Sequence, residues 1–232
     1  MRNILITFAM LMLFAGYGLG QSVDPAKFAA VQKENAQKLR AYTWKQRLEL
    51  QLKGETKKVL LNQMRYDVDG KQQKTPLGTG EPQQPAAQAP AGRRGGRVKA
   101  KIVENKKEEF KEMMEGLAAL VTSYGHIPPD KLKAALSQAK VTPGQGEMKG
   151  AAGIQVASIV QSGDSLTLWV DTATLLFRRI EINSSYEQKP VTATADYSAV
   201  AGGPNYMAKA VLQYPAKELL LKIENFEYQP SR

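Results

Sequence analysis

Between residues 166 and 182 the chain reads LTLWVDTATLLFRRIEI. Leu166, Leu168 and Val170 alternate with Thr167, Trp169 and Asp171, and a second alternating run begins at Leu176, setting Ile180 and Ile182 against Arg179 and Glu181. Period two with one apolar face predicts two strands joined by a short turn. The same period begins at Tyr42. Tyr42, Trp44, Leu48, Leu50 and Leu52 share one face, interrupted by Gln46, while Thr43, Lys45, Arg47, Glu49, Gln51 and Lys53 share the other. One buried and one wet face favours an antiparallel sheet. Gly54-Glu55 is a turn candidate, and a return strand is expected over residues 57–68, with Leu60, Met64, Tyr66 and Val68 on one side and Asp69-Gly70 ending it.

Three stretches follow a helical period instead. Asp24 can cap the first and Pro25 can take its first position; Phe28, Val31, Asn35 and Leu39 then fall on one face. Phe110, Met113, Met114, Leu117, Leu120, Val121 and Tyr124 are spaced for a second helix, with Lys107, Lys111, Glu112 and Glu115 opposite and Gly125 as its stop. A shorter helix over residues 130–140 groups Leu132, Ala135, Leu136 and Ala139. The rest reads as strand: residues 154–160, the hairpin at 165–186, then 189–200, 206–214 and 217–228. Turn signals stand at Ser162-Gly163-Asp164, Glu187-Gln188, from Gly202 and at Pro215-Ala216, at hairpin-like intervals with nothing helical between. That pattern predicts an antiparallel meander, not a parallel α/β sheet.

Two segments break the pattern. Residues 75–97 are Pro, Gly, Gln and Ala with little apolar bulk, and read as a disordered loop because they cannot bury enough surface to offset their ordering entropy. VTPGQGEMKG, residues 141–150, reads as a flexible connector. With a helical insertion at about 100–140, residues 21–232 form one α+β domain without internal repeat.

The first 20 residues stand apart. Arg2 is their one charge; an apolar run from Ile4 to Phe14 follows, then small residues with Gly18 and Gly20 before Gln21. This is the layout of a secretory signal peptide with cleavage at Gly20/Gln21, and the run is shorter than the roughly 20 residues of a membrane anchor. With no cysteine in the chain, an acylated N-terminal Cys and any disulfide are excluded. The expected location is periplasmic or secreted. The net charge is +10, or +9 without Arg2. In an exported chain a basic surface suits anionic lipid headgroups or envelope polymers, or is simply solvated. RRGGR, residues 93–97, has the composition of Arg-Gly segments that bind RNA, but export argues against a nucleic-acid partner.

Candidate chemistry is sparse. His126 is the single histidine, and a lone His without Cys cannot build a zinc site of three or four ligands. No G-x-S-x-G elbow, phosphate loop or strand-led GxGxxG occurs. Asp67 to Gly70 begins like a calcium loop but lacks its third acidic position and closing Glu, so a hairpin turn is expected there. Asp171, Glu181 and Asp196 read as solvent-face carboxylates, since nothing in the sequence pairs them. No enzyme, cofactor or metal is expected.

The apolar faces say more. Trp44, Leu48, Leu50, Met64 and Tyr66 line one face of the first two strands, and Met113, Met114 and Leu117 line the second helix. Ala193 and Ala195 share a face with Val191 and Tyr197, while Ala208 and Ala210 alternate with Met207, Lys209 and Val211. Small residues on a sheet face leave room for something large. Either the helices fill that room, or an apolar ligand lies beneath them, with those eight residues facing it.

The order of elements, with Y-T-W opening the strand pair at Tyr42 and the Leu168-Trp169-Val170-Asp171 hairpin followed by Thr174, Arg179 and Glu181, resembles the LolA family of periplasmic lipoprotein carriers. The likeness covers the layout from Asp24 to Tyr228, and its motif is confined to the hairpin. The family's usual Gly-Leu-Pro in the turn is replaced by Leu175-Leu176-Phe177, and the insertion after Thr75 is a further departure. Related exported domains, including mycobacterial lipid-binding lipoproteins, share the layout. The resemblance implies a strongly curved, half-open antiparallel sheet, a half-barrel with helices packed on its concave face, that binds acyl chains or lipidated peptides in an apolar cavity. The expected function is therefore non-enzymatic binding of a lipid, acyl chain or lipidated partner by a monomeric envelope protein. The alternative is a structural or protein-interaction module with a permanently filled core.

Overall fold

The computed structural model describes residues 25–79 and 96–231. The expected signal peptide, the Asp24 cap and most of the 75–97 segment lie outside the described residues. Helix α1 (Pro25–Leu39) leads into β1 (Tyr42–Leu52), β2 (Glu55–Tyr66) and β3 (Gln72–Thr79). Helices α2 (Gly96–Tyr124) and α3 (Pro129–Ser137) follow. Then come β4 (Lys140–Pro143), β5 (Ala151–Ala157), β6 (Ser165–Asp171), β7 (Phe177–Tyr186), β8 (Lys189–Ala199), β9 (Asn205–Tyr214) and β10 (Leu219–Pro230).

All ten strands form one open, curled antiparallel sheet in the order β3-β2-β1-β10-β9-β8-β7-β6-β5-β4. The chain closes back on itself at the β1–β10 pair, so its first and last strands lie together inside the sheet, third and fourth from one edge. Two of the strands were not expected. Residues 75–79, read as the start of a loop, pair as β3 with β2, where Thr75 lies against Gln63. Residues 141–143, read as connector, pair as β4 with β5, with Val141 against Ile154. Both are edge strands, held by backbone hydrogen bonds that do not depend on an apolar side-chain pattern. Val68, placed on the apolar side of β2, stands instead at the hairpin tip and is fully exposed.

Register carries the two faces across the sheet. One row runs Ile154, Leu168, Ile180, Ala195, Ala210, Ile223, Leu48, Leu60. The neighbouring row on the opposite face runs Gly153, Trp169, Arg179, Asp196, Lys209, Glu224, Arg47. The alternation visible within each strand is thus an alternation of whole rows. Register shifts at Thr43/Lys45, Leu50/Gln51, Leu61/Asn62, Trp169/Val170 and Asp196/Tyr197 interrupt the ladders. Bulges of this kind bend and twist a strand, which suits a curled sheet.

The three helices and the first of these faces share one core. Phe28 of α1, Met113, Leu117, Val121 and Tyr124 of α2, and Leu132 and Leu136 of α3 are buried in the same cluster as Leu168, Ile180, Ala195, Leu212 and Leu221. The spacing of the α2 residues, steps of four and three, keeps them on one stripe. In α1 the polar Asn35 interrupts the apolar face because it clasps the start of β9. Its Nδ2 donates to Asn205 O at 2.8 Å, and Asn205 N donates to its Oδ1 at 2.7 Å. Gln32 Nε2 similarly donates to Leu175 O at 2.6 Å in the β6–β7 turn.

Two hairpins use two-residue turns with both central residues in the left-handed region. Lys53 and Gly54 (φ 55° and 75°) connect β1 to β2; Glu187 and Gln188 (φ 50° and 61°) connect β7 to β8. The second turn has no glycine, although such turns favour Asn-Gly and left-handed backbone costs other residues roughly 1–2 kcal/mol. Replacing Glu187-Gln188 with Asn-Gly is expected to stabilise the fold by about 1 kcal/mol. A rise in the urea midpoint at unchanged slope checks it; a fall would show that these side chains contribute contacts of their own.

Candidate functional site

The eight residues singled out from the sequence divide into two groups. Met113 and Leu117 are buried in the main core, and Leu48, Leu50 and Met114 pack against it half-buried. These five lie where the helices meet the sheet. Trp44, Met64 and Tyr66 lie elsewhere, outside that cluster. Trp44 is 3% exposed and Met64 wholly buried. They pair across β1 and β2, Trp44 against Met64.

Around Trp44 the structure assembles aromatic rings that sequence reasoning did not connect. The Trp44 ring stacks on Tyr228 with centroids 5.3 Å apart and planes 2° apart, and meets Tyr66 at 5.2 Å. Tyr228 in turn meets Tyr206 at 4.0 Å. Trp44 Nε1 donates to Asn225 Oδ1 at 3.2 Å, Gln46 Nε2 donates to the same oxygen at 3.1 Å, and Asn225 Nδ2 donates to Met207 O at 2.9 Å. Gln46, the polar break in the β1 pattern, is therefore a partner of buried Asn225. Trp44, Tyr66, Tyr206 and Tyr228 come from four different strands, β1, β2, β9 and β10, so nothing local in the sequence signals the cluster.

The main core carries small residues on its central strands. Ala195 and Ala210 are paired, and Ala193 is paired with Leu212. Met113, Met114 and Met207 belong to or pack on the same core. Methionine is unbranched and polarizable, and adapts to irregular neighbours. Phe28 and Phe177 meet edge to face at 5.5 Å, and Phe177 meets Tyr197 at 5.6 Å, which links α1 to β7 and β8.

No protein-family model matches this chain, and no curated protein matches it. Two solved structures are similar to it. One is a DUF1329 family protein from Desulfovibrio piger, with a TM-score of 0.42 and 8% identity over 90% of this chain and 94% of that one. The other is a LolA superfamily protein from Nitrosomonas europaea, with a TM-score of 0.32 and 8% identity over 86% of this chain and 91% of that one.

The polar residues of the hairpin serve the scaffold. Asp171 Oδ1 accepts from Ala173 N at 3.1 Å, Thr174 N at 2.9 Å and Thr174 Oγ1 at 3.0 Å, closing the β6–β7 turn. Burial pushes its carboxyl up, but the Thr174 donors, Ala173 and the Arg178 charge outweigh that and hold it below the usual carboxylate range. Arg179 Nε lies 2.5 Å from Asp196 Oδ1 across β7 and β8, and Glu181 lies 4.0 Å away on the same strand. Arg178 donates to the carbonyls of Lys149 and Glu147 at 2.7 Å and 3.1 Å, tying down the segment between β4 and β5. Trp169 covers Gly153, where an added Cβ would come within 2.8 Å of the indole.

His126 is exposed after α2, its Nδ1 3.0 Å from Thr122 O. Asp67 to Gly70 forms the β2–β3 turn, with Asp67 Oδ1 accepting from Asp69 N at 3.0 Å and Lys71 N at 2.8 Å. Among the described residues no group of three or more His, Cys, Asp or Glu could hold a metal ion, and no helix is long and apolar enough to cross a membrane.

Proposed function

We propose that this chain is a non-enzymatic protein of the cell envelope that binds a lipid, an acyl chain or a lipidated partner between its helices and the inner face of its sheet. In this reading the sheet is a half-barrel and the helices occupy its concave side. The observation that supports it is the make-up of that interface: alanines at 193, 195 and 210 on the central strands, with Met113, Met114 and Met207 on the same core. A floor of small residues under adaptable methionines can repack around an extended apolar chain at low cost. The leader-like pattern of the first 20 residues supports a periplasmic or secreted location, and the basic charge suits approach to an anionic membrane.

A second reading has its own support. Phe28, Leu117 and Val121 are already 3% exposed or less, so the helices themselves fill part of the interior. The protein would then be a structural or interaction module with a permanently filled core. One experiment separates the two. Protein purified gently from its native host is expected to carry lipid detectable by mass spectrometry, and the delipidated protein to take up a fluorescent fatty acid. Absence of co-purified lipid together with no uptake would overturn the binding reading in favour of the filled core.

A further inference from the structure

Leu175 holds a backbone conformation that leucine ordinarily avoids. Among the described residues other than glycine, left-handed backbone also occurs at Lys53, Ser158, Glu187, Gln188, Glu218 and Glu227, all of them polar and exposed. Leu175 differs from these six. Its φ is 59°, yet its side chain is 5% exposed and belongs to the core shared with Phe28, Met113 and Leu117. A bulky residue is disfavoured here because its Cβ crowds the following carbonyl oxygen. Such an outlier persists only where the surroundings hold it, and it points to a use for the side chain.

The turn itself has no need of a leucine. Leu175 N donates to Asp171 O at 2.8 Å, and Asp171 N donates to Leu176 O at 2.9 Å. Asp171 Oδ1 takes up the amides of Ala173 and Thr174. Gln32 of α1 binds the Leu175 carbonyl, which is a backbone group. Glycine at this position would keep every one of these bonds without the left-handed cost. The leucine side chain therefore acts in the core and not in the turn.

Its position there is at an end. The ladder of β6 and β7 finishes with Val170 against Phe177, and Leu175 lies beyond it. Asn205, at the start of β9, donates to Phe177 O at this same end at 2.9 Å, and Phe28 of α1 meets the Phe177 ring. From here the inner face runs along β7 and β8 past Ile180 with Ala195 and Ile182 with Ala193. Tyr186 and Tyr214 meet edge to face at the far end.

We infer that Leu175 is the end stop of the apolar interior and sets the length of acyl chain the protein accepts. A chain laid along the strands over Ala195 and Ala193 meets the leucine at one end. The inference rests on the lipid-binding reading above and adds to it a residue that determines specificity for a single saturated chain.

The test is displacement of a fluorescent fatty acid from the full chain, expressed with its leader and purified after export. The competitors are decanoate, laurate, myristate, palmitate and stearate. The unaltered protein is expected to show an optimum of chain length. Leu175→Gly should move that optimum to an acid roughly two to four carbons longer and bind it about tenfold more tightly, the worth of about two further buried methylenes. Leu175→Ala should show the same longer optimum with a lower unfolding midpoint than Leu175→Gly, because only glycine relieves the backbone. Leu132→Ala empties a buried position of the same core on α3 and should leave the optimum in place. An unmoved optimum in both Leu175 variants, or an equal move in Leu132→Ala, overturns the end stop while lipid binding stands. Uptake by the Leu175 variants alone keeps the stop and overturns the binding reading, with Leu175 sealing a filled interior. No uptake by any form removes both.

Discussion

Replacing Asp164 with alanine is expected to destabilise the protein by about 3–4 kcal/mol, enough to lower Tm by roughly 10 °C in a domain of this size. Asp164 is 2% exposed and anchors the β5–β6 loop. Its Oδ1 accepts from Ile159 N at 2.7 Å, and its Oδ2 from Val160 N at 2.9 Å and Gln161 N at 2.8 Å. The Tyr124 hydroxyl at the end of α2 donates to the same Oδ2 at 2.6 Å, and lies 2.8 Å from Ser184 Oγ on β7. Removing the carboxylate therefore strands three backbone donors and a buried phenol at once, and leaving a buried donor unmade costs more than a made bond contributes. Burial and the Asp164 bond both push the Tyr124 phenol up, so it stays a donor at any working pH. Tyr124→Phe removes the bonds to Asp164 and Ser184 and leaves the three backbone bonds in place, and should cost about 2 kcal/mol. Urea unfolding of both variants checks the ranking. A loss under about 1 kcal/mol for Asp164→Ala would mean that the loop finds water in place of the carboxylate.

Trp44→Ala is the second large effect expected, at about 3–5 kcal/mol. The indole is packed between Tyr66 and Tyr228 and its N–H reaches Asn225, so truncation opens a cavity and removes an aromatic stack together. Trp44→Phe keeps a ring in the stack and loses the Asn225 bond; about 1–2 kcal/mol is expected. From the sequence Trp44 reads as one of the residues facing a ligand. If Trp44 served a ligand and little else, Trp44→Ala would lower fatty-acid uptake and leave the unfolding midpoint where it was.

Much of the fold can be read from the chain because most strands carry a complete alternation. The hairpin at 166–182 shows one face to the core and one to water, and Asp171 and Thr174 supply the hydrogen bonds of its turn from within three residues of each other. The α2 stripe is legible for the same reason, since Met113, Leu117, Val121 and Tyr124 repeat at the helical period. Strands β3 and β4 are not legible. QQKTPLGT and KVTP have no apolar face, and only the neighbouring strand's open backbone groups draw them into the sheet. The candidate site is legible in part. The apolar faces of β1 and α2 are visible, but Trp44 and Leu48, on one face of one strand, end in different clusters.

By itself the sequence determined the local elements and the division of each into a wet and an apolar side, because side-chain period and turn chemistry act over a few residues. The tertiary structure alone decided which of those sides meet. Register placed Ala195 against Ala210, and the return of β10 beside β1 brought Tyr228 onto Trp44, residues far apart in the chain. Bulges then shifted the alternation partway along β2, β9 and β10, where counting by twos fails. The contacts of Trp44 with Tyr228, and of Tyr228 with Tyr206, exist only through that closure. Which rings meet is set by contacts across strands that no window along the chain contains.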